Sequence, residues 1–440
     1  MTLVAKNQPR RILIASVGSY GDVFPFLALG ERMKERGHDV TILTSGYFTK
    51  LVEDAGLKIA PVGTPEQYQA YITDPNLLDP LRGLMLTRRM LISIVEPIYE
   101  YLREEWQTAN TLIVSSPYCM AARIAEETLE IPLVTVCPAP IAMGSVIDPP
   151  VVSPLFSPSH VPRIFRGLFG QSVSWVTDRM LGSPINKFRK RLGQGKMHSV
   201  MRWWHARRGT VSLFPEWFAP ASFDWPSPHA YAGFPICEPK NVMSATNPLK
   251  DAKLDEILLG SKRPLLFYPG SNASHLRRYF EICEKVCQQM GRTGILVAPA
   301  AIDLDDQQSS HLLVVPFLSM NQTLPRVAAA IHHGGIGTIA ACFSAGVPQL
   351  IRPMFSDQPD NAARVARLGA GSSLPNARFR VAEVTRALEQ LIGDPLVATQ
   401  CQLYRERMQA IDGLKMAADL IESELQSPVN GIQSRVRVAD

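Results

Sequence analysis

Two short stretches carry residue types that do chemistry. The first, "VGSYGDVFPF" at 17–26, places Asp22 just after Gly18 and Gly21, where the apolar run "RILIAS" hands over to the helical spacing of "FLALGERMKERGH". Such a handover lies at the carboxyl edge of a parallel sheet, where ligands bind. Asp22 is therefore a candidate for substrate contact, and equally a candidate N-cap of the helix that follows. The second stretch, "IHHGGIGTIAACFSAGVPQLIRPMFSDQPDNAARV", runs a strand ending at Ile331 into His332, His333, Gly334 and Gly335. A helix then opens around Gly337 and Thr338 and closes at Gly346. A helix start offers free amides and the positive end of the macrodipole to an anion. Gly335 and Gly337 let a diphosphate approach the main chain, Thr338 can donate a hydroxyl, and His333 can donate a ring N–H.

Gly335 to Ala340 also fits G-x-G-x-x-G/A, with Asp357 about twenty residues on, as in dinucleotide-binding folds. That is the basis of an NAD-dependent oxidoreductase reading. It is the weaker one, because the match falls on a late strand of its half. The opening turn, Gly18 to Gly21, lacks the spacing, and the next strand ends "TILTS" without an acid. Asp357 and Gln358 set a carboxylate beside an amide, a pair that accepts from and donates to the hydroxyls of a sugar ring. Alternatively Asp357 caps the helix "QPDNAARVARLG".

These residues need a frame to hold them. The chain repeats its opening grammar near residue 263, where "RPLLFYPGSNASHLRRYFEICEKVCQQMG" again gives strand, Gly-Ser turn and helix. Strands are expected at "DVTILTS", "TLIVSS" and "IPLVTVC" in the first half, and at "GILVAP", "HLLVVPF", "AAAIHHGG" and "PQLIRP" in the second. Alternating strands and helices predict an α/β fold of two Rossmann-like, doubly wound domains facing a cleft. The expected divisions are 1–234, a linker at 235–262, a second domain at 263–398 and a helical tail at 399–440 bending at Asp412-Gly413. The proline-rich stretch 215–248 shows neither the helix nor the strand period, which suits a domain connection.

With 440 residues, 46% hydrophobic and 19% charged, the chain reads as a globular protein of more than one domain. Its net charge of +5 comes with no basic block interleaved with aromatics in the motif regions, so no nucleic-acid partner is expected. Seven cysteines at irregular spacings give no disulfide framework and no metal motif. Cys283 and Cys287, on one helix face, read as small apolar packing residues. The longest apolar stretch, "IPLVTVCPAPIAMGSVIDPPVV", is broken by prolines and Asp148 and cannot span a membrane. A cytoplasmic protein without a signal peptide is expected.

Taken together, the motifs resemble the nucleotide-sugar glycosyltransferases of the GT-B fold, in the subgroup of bacterial antibiotic, sterol and rhamnolipid glycosyltransferases. The N-terminal mark is Gly18-Ser19-Tyr20-Gly21-Asp22-Val23-Phe24-Pro25. The C-terminal marks are His332 to Thr338, Gly346-Val347-Pro348, and Asp357-Gln358 with Asn361. Finer texture in "IVEPIYEYLREE", "SLFPEWFAPASFDWP" and "GFPICEP" resembles the rhamnosyltransferases that act on a hydroxyacyl lipid.

The resemblance implies inverting transfer of a sugar from a UDP- or dTDP-sugar to a hydroxyl of a hydrophobic acceptor, a lipid, sterol or polyketide-like molecule. Asp22 would be the base, standing where many relatives carry histidine. His333, the amides from Gly335 to Thr338, and Ser271 would hold the leaving diphosphate with no metal or other cofactor. Val315 and Phe317 would lie against the nucleobase, Asp357 and Gln358 would read the sugar, and Ser19 and Tyr20 would meet the acceptor. His332 is expected to be structural. The amphipathic, basic and aromatic stretches at 81–102 and 163–193 read as core helices with a solvated face, or as a lipid-facing entrance with peripheral membrane contact. A sugar-nucleotide epimerase on the same fold, or a non-catalytic lipid-binding relative, are the other readings.

Overall fold

The computed structural model describes residues 10–106, 110–152, 161, 165–237, 248–270, 276–298 and 309–424. They build two parallel sheets. The first contains β1 (Arg11–Ala15), β2 (Asp39–Thr44), β3 (Lys58–Pro61), β4 (Thr111–Ser115), β5 (Leu133–Cys137), β6 (Thr210–Ser212) and β7 (His229–Tyr231), in the order β3-β2-β1-β4-β5-β6-β7. The second contains β8 (Leu265–Tyr268), β9 (Gly294–Val297), β10 (Leu312–Val315), β11 (Ala329–His332), β12 (Gln349–Ile351) and β13 (Gly371–Ser373), in the order β10-β9-β8-β11-β12-β13.

Both sheets reverse their winding beside their first strand. The reversal falls between β1 and β4 in one, with Ala15 opposite Ser115, and between β8 and β11 in the other, with Tyr268 opposite His332. Helices leaving neighbouring strands here go to opposite faces, which opens a crevice at the carboxyl ends. The central strands are apolar runs because helices cover both faces: Ile12, Ile14, Val114 and Val134 lie in one core layer, Leu13, Ile113 and Leu133 in the other.

The structure alters several expected boundaries. The helix after β1 spans Tyr20–Glu35, so it begins ahead of Asp22 rather than after it, and its N-cap is Ser19. Strands β3, β6, β7 and β13 were not expected. Each has three or four residues, too few to show a period, and main-chain pairing to a longer neighbour defines it. The region expected to be linker contains the helix Pro248–Leu259. Cys283 and Cys287 pack in the second core.

The two sheets share an aromatic cluster. Trp217 stacks on Tyr404 at 4.7 Å, and Phe234 faces Phe343 at 6.3 Å. The Val151 amide adds a direct polar link, donating to Asp360 Oδ1 at 3.1 Å. The chain ends, within the described residues, in the helices Pro395–Gln409 and Gly413–Glu424, with the break between them at Asp412. The last helix lies on the first sheet's Tyr20–Glu35 helix. Arg36 bridges Asp419 at 2.8 Å and Glu422 at 2.7 Å, while Ala417, Ala418 and Ile421 enter that core. No described helix is long and apolar enough to cross a membrane.

Candidate active site

Asp22 sits in the first turn of the helix that follows β1, and its carboxylate turns back toward the strand. The Ser19 amide and the Ser19 hydroxyl both donate to Oδ2, at 2.8 and 2.9 Å. This is one half of a capping box, with Asp22 at the third helical position rather than the cap. Gly18 makes the turn possible. Its φ of +133° suits only glycine, and a Cβ there would overlap the Asp22 carboxylate. Burial raises the carboxyl above its ordinary range, and the two Ser19 bonds pull it partly back.

Aromatic rings close one side of this acid. Tyr20 meets Phe48 edge-on at 5.1 Å and its hydroxyl donates to Tyr47 at 3.4 Å, while Tyr47 stacks on Tyr68 at 4.6 Å. The Asp22 charge helps push up the phenols of Tyr68 and Tyr71, behind the larger effect of burial. The wall is thus built against the carboxylate. Of the two residues expected to meet an acceptor, Tyr20 belongs to this wall and Ser19 holds the acid.

The second sheet supplies a helix start whose free amides suit an anion. The helix after β11 spans Ile336–Ala345 with Gly335 as N-cap, and Ile339 makes its first bond back, to Gly335 O at 3.1 Å. The amides of Ile336, Gly337 and Thr338 precede that bond and lie at the positive end of the dipole. Nothing lies within 4 Å of where a Gly337 Cβ would be. His333 is held between two glycines: a Cβ on Gly335 would sit 2.7 Å from Nε2, and one on Gly270 3.0 Å from Nδ1. Burial lowers its pKa to about 4, with the Tyr268 main chain opposing, so the ring is neutral near pH 7. Its Nδ1 is buried without a hydrogen bond. His332 has a different task. Nε2 pairs with Gln349 Oε1 at 3.1 Å and Nδ1 accepts the Gly334 amide at 3.1 Å, which fixes the loop.

Asp357 follows β12 on the same edge. It occupies the N-cap position of Gln358–Arg367 without a side-chain capping bond, and its Oδ2 instead accepts from Asn361 Nδ2 at 2.7 Å. The same Asn361 nitrogen reaches Gly334 O at 3.1 Å, so one side chain ties the loop after β12 to the loop after β11. Burial raises Asp357 to about 7, and the charge of Asp22 adds to the shift. Two acids from different sheets therefore face one cleft. Tyr118, after β4, feels both of them.

Other expected residues stand differently. Gln358 is buried and its Oε1 accepts the Met354 amide at 2.8 Å, so half of its amide is committed to the loop and only its NH2 remains for a ligand. Val315 ends β10, its side chain in the core and its carbonyl accepting the Ala298 amide at 3.0 Å, which leaves no side chain for stacking. Phe317, two residues on, is half-buried. Ser271 lies outside the described residues. Among the described residues no group of three His, Cys, Asp or Glu side chains is placed to hold a metal.

Sequence reading missed Tyr47, Tyr68, Tyr118 and Gly270. Tyr118 and Gly270 follow the strands at the two switch points, so the strand order would have pointed to them. Nothing local marks Tyr47 and Tyr68.

Comparison with known proteins agrees with this geometry. Residues 12–146 match the Glycosyltransferase family 28 N-terminal domain, and residues 299–419 match the Erythromycin biosynthesis protein CIII-like, C-terminal domain. The chain is 27% identical to the O-mycaminosyltylonolide 6-deoxyallosyltransferase of Streptomyces fradiae, over 94% of this chain and 97% of that one. It is 23% identical to a Sterol 3-beta-glucosyltransferase of Saccharomyces cerevisiae, spanning 99% of this chain but only 37% of the larger yeast protein. Among solved structures, the glycosyltransferase VinC in complex with dTDP superposes with a TM-score of 0.67 at 18% identity, over 94% of this chain and 99% of that chain.

Proposed function

Since the chain belongs to the GT-B glycosyltransferases, with a family 28 N-terminal domain and an EryCIII-like C-terminal domain, we propose that it transfers a sugar, with inversion, from a UDP- or dTDP-sugar to a hydroxyl of a hydrophobic acceptor. The observation that carries the proposal is the pairing of switch points. An acid lies at one, an anion-binding helix start and a neutral imidazole lie at the other, and the acids of the two sheets sense each other across the cleft.

An alcohol needs a proton acceptor as its oxygen attacks the anomeric carbon. Asp22 serves, because Ser19 occupies Oδ2 and leaves Oδ1 free of partners among the described residues. Its raised pKa makes it a better base than an ordinary carboxylate. The departing diphosphate gathers charge, which the amides of Ile336 to Thr338 and the His333 N–H stabilise. Asp357 and the Gln358 NH2 meet the sugar hydroxyls. No step draws on a metal.

The tyrosine wall beside Asp22 favours a hydrophobic acceptor, as do the macrolide and sterol substrates in the relatives' names. A lipid acceptor and peripheral membrane contact fit the same reading. The dTDP bound to VinC, a protein of the same fold, is in keeping with a thymidine diphosphate donor.

Calorimetry with UDP, dTDP and NAD, followed by transfer assays with dTDP- and UDP-sugars, including dTDP-rhamnose, against a panel of lipid, sterol and polyketide alcohols, tests the proposal. Nucleotide binding with product of inverted configuration supports it. NAD binding alone returns the oxidoreductase reading, donor isomerisation seen by NMR indicates an epimerase, and nucleotide binding without transfer or donor hydrolysis indicates a non-catalytic relative.

A further inference from the structure

We propose that the outer faces of the helices Pro80–Ser93 and Arg166–Thr177 form one docking surface for an anionic lipid bilayer. The inference deepens the proposed function, since it rests on an acceptor that is itself an amphiphile, but the surface is argued from its own residues.

Each helix turns large apolar side chains to solvent, with an arginine at or just past its end. On the first, Leu81, Met85 and Arg89 fall at i, i+4 and i+8, with Leu81 77% and Met85 60% exposed. On the second, Leu168 and Trp175 fall at i and i+7, 61% and 66% exposed, and Arg179 follows in the wider turn Asp178–Gly182 that continues the helix. Large side chains exposed in register on two helices are not scattered surface residues.

The two sets belong to one surface. Arg88 Nε donates to Met180 O at 2.8 Å, which places the arginine ends of the two helices side by side. Gly170 has no room for a Cβ because the Val146 carbonyl lies against it. The neighbouring Ile147 amide is held by Asp224 at 3.1 Å, and Phe223, next to Asp224, is 97% exposed.

Charge selects the occupant. Residues 80–93 contain three arginines and no acid, Asp79 being engaged in capping that helix. Residues 165–196 contain seven Lys or Arg, of which Arg189 and Arg191 are paired with Glu127 and Glu96, against Asp178 alone, in a chain of 45 basic and 40 acidic residues. Asp178 does not face outward: it accepts the Val200 amide at 2.7 Å. Exposed apolar side chains edged by a surplus of cations, Arg88, Arg89 and Arg179 among them, match the acyl boundary and headgroups of an anionic leaflet. A second copy of the chain would bring the same cations against themselves.

The surface also leads to the reaction centre. On the side of the Pro80–Ser93 helix away from solvent, Thr87 pairs with the Tyr71 hydroxyl at 3.0 Å, and Tyr71 feels the charge of Asp22. An amphiphile leaving the bilayer at Leu81 and Met85 has one helix to pass before it meets the tyrosine wall.

The test is cosedimentation of the full chain with phosphatidylglycerol vesicles and with phosphatidylcholine vesicles, without donor or acceptor, so that it reads docking whether or not transfer occurs. The wild type is expected to pellet with phosphatidylglycerol, and much less with phosphatidylcholine. The double variant Leu168→Glu/Trp175→Glu is expected to bind at least about tenfold more weakly, since it removes apolar area from the contact. Both side chains are exposed, and unchanged melting and nucleotide calorimetry check the fold. Arg89→Glu/Arg179→Glu should lose the preference for the anionic vesicle. Three results would overturn the proposal: wild type that stays in the supernatant, a Leu168→Glu/Trp175→Glu protein that pellets like wild type, or a variant that instead dissociates a dimer, which would make the face a contact between copies.

Discussion

Ser19 grips Asp22 by a single oxygen, its amide and its hydroxyl both donating to Oδ2 at 2.8 and 2.9 Å. The helix start therefore orients the acid without using it up. Holding the helix start and taking a proton, alternatives on sequence grounds, are compatible in one carboxylate because it has two oxygens. Asp22→Asn is expected to keep the fold, since its amide oxygen still accepts from Ser19, and to keep nucleotide affinity, since the proposed donor site lies on the other sheet. Turnover should fall on the order of 10²- to 10⁴-fold. Near-normal turnover at saturating acceptor would reduce Asp22 to a helix-start residue.

Ser19→Ala removes one donor to the charged form of Asp22 and leaves the amide. The carboxyl should rise further, because Ser19 opposes the upward push of burial. The acidic limb of the pH profile of kcat/KM should move to higher pH. A limb that stays in place would mean that Asp22 does not set it.

Asp357 carries a stability signature. Its pKa is about 7 in the folded protein against an ordinary 3.8, so it contributes stability that is full below the unfolded value and is lost as pH rises from there through about 7. Asp357→Asn should melt above wild type at pH 8, with the gain shrinking toward pH 4. The direction follows from burial and from the facing charge of Asp22. A gain independent of pH would contradict it.

His333→Ala should weaken nucleotide binding and transfer together, by roughly tenfold to a hundredfold, the value of a hydrogen bond to a charged group. With a pKa of about 4 the ring carries no charge at neutral pH, so nucleotide affinity should show no inflection from it between pH 6 and 8. Calorimetry across that range decides. Loss of transfer with intact nucleotide affinity would move His333 from the phosphate to another role.

Gly337→Ala separates stability from binding. The site has room for a methyl group, and alanine is the better helix former by up to about 1 kcal/mol, so the melting temperature should hold or rise. The methyl group then occupies the approach to the diphosphate, and nucleotide affinity should drop. Unchanged affinity would place the diphosphate elsewhere.

The sequence revealed the two sheets where strands are buried on both faces, since Ile12 to Ala15 and Ala329 to His332 admit only apolar or tightly paired residues. It was silent on β13, whose Gly-Ser-Ser is defined by a neighbour's main chain. In the site, the helix start at Ile336 and the close packing of His333 were legible because glycines at fixed spacing let the loop turn and the ring sit against the main chain. The Tyr47 and Tyr68 wall was not, because its rings, Tyr20, Tyr47 with Phe48, and Tyr68, come from three separate segments. Val315 misled because its position at a strand end is a sequence property, whereas the direction of its side chain is set by the pleat.

The closing helix has a bearing on how the protein is made. Ala417, Ala418 and Ile421 are fully buried in the core of the first sheet, although they are among the last described residues to leave the ribosome. The first sheet emerges early yet keeps an uncovered apolar groove until the second has been synthesised. The order of completion is thus the reverse of the order of emergence. The nascent first half therefore exposes to chaperones or other chains the apolar groove that Ala417, Ala418 and Ile421 later fill.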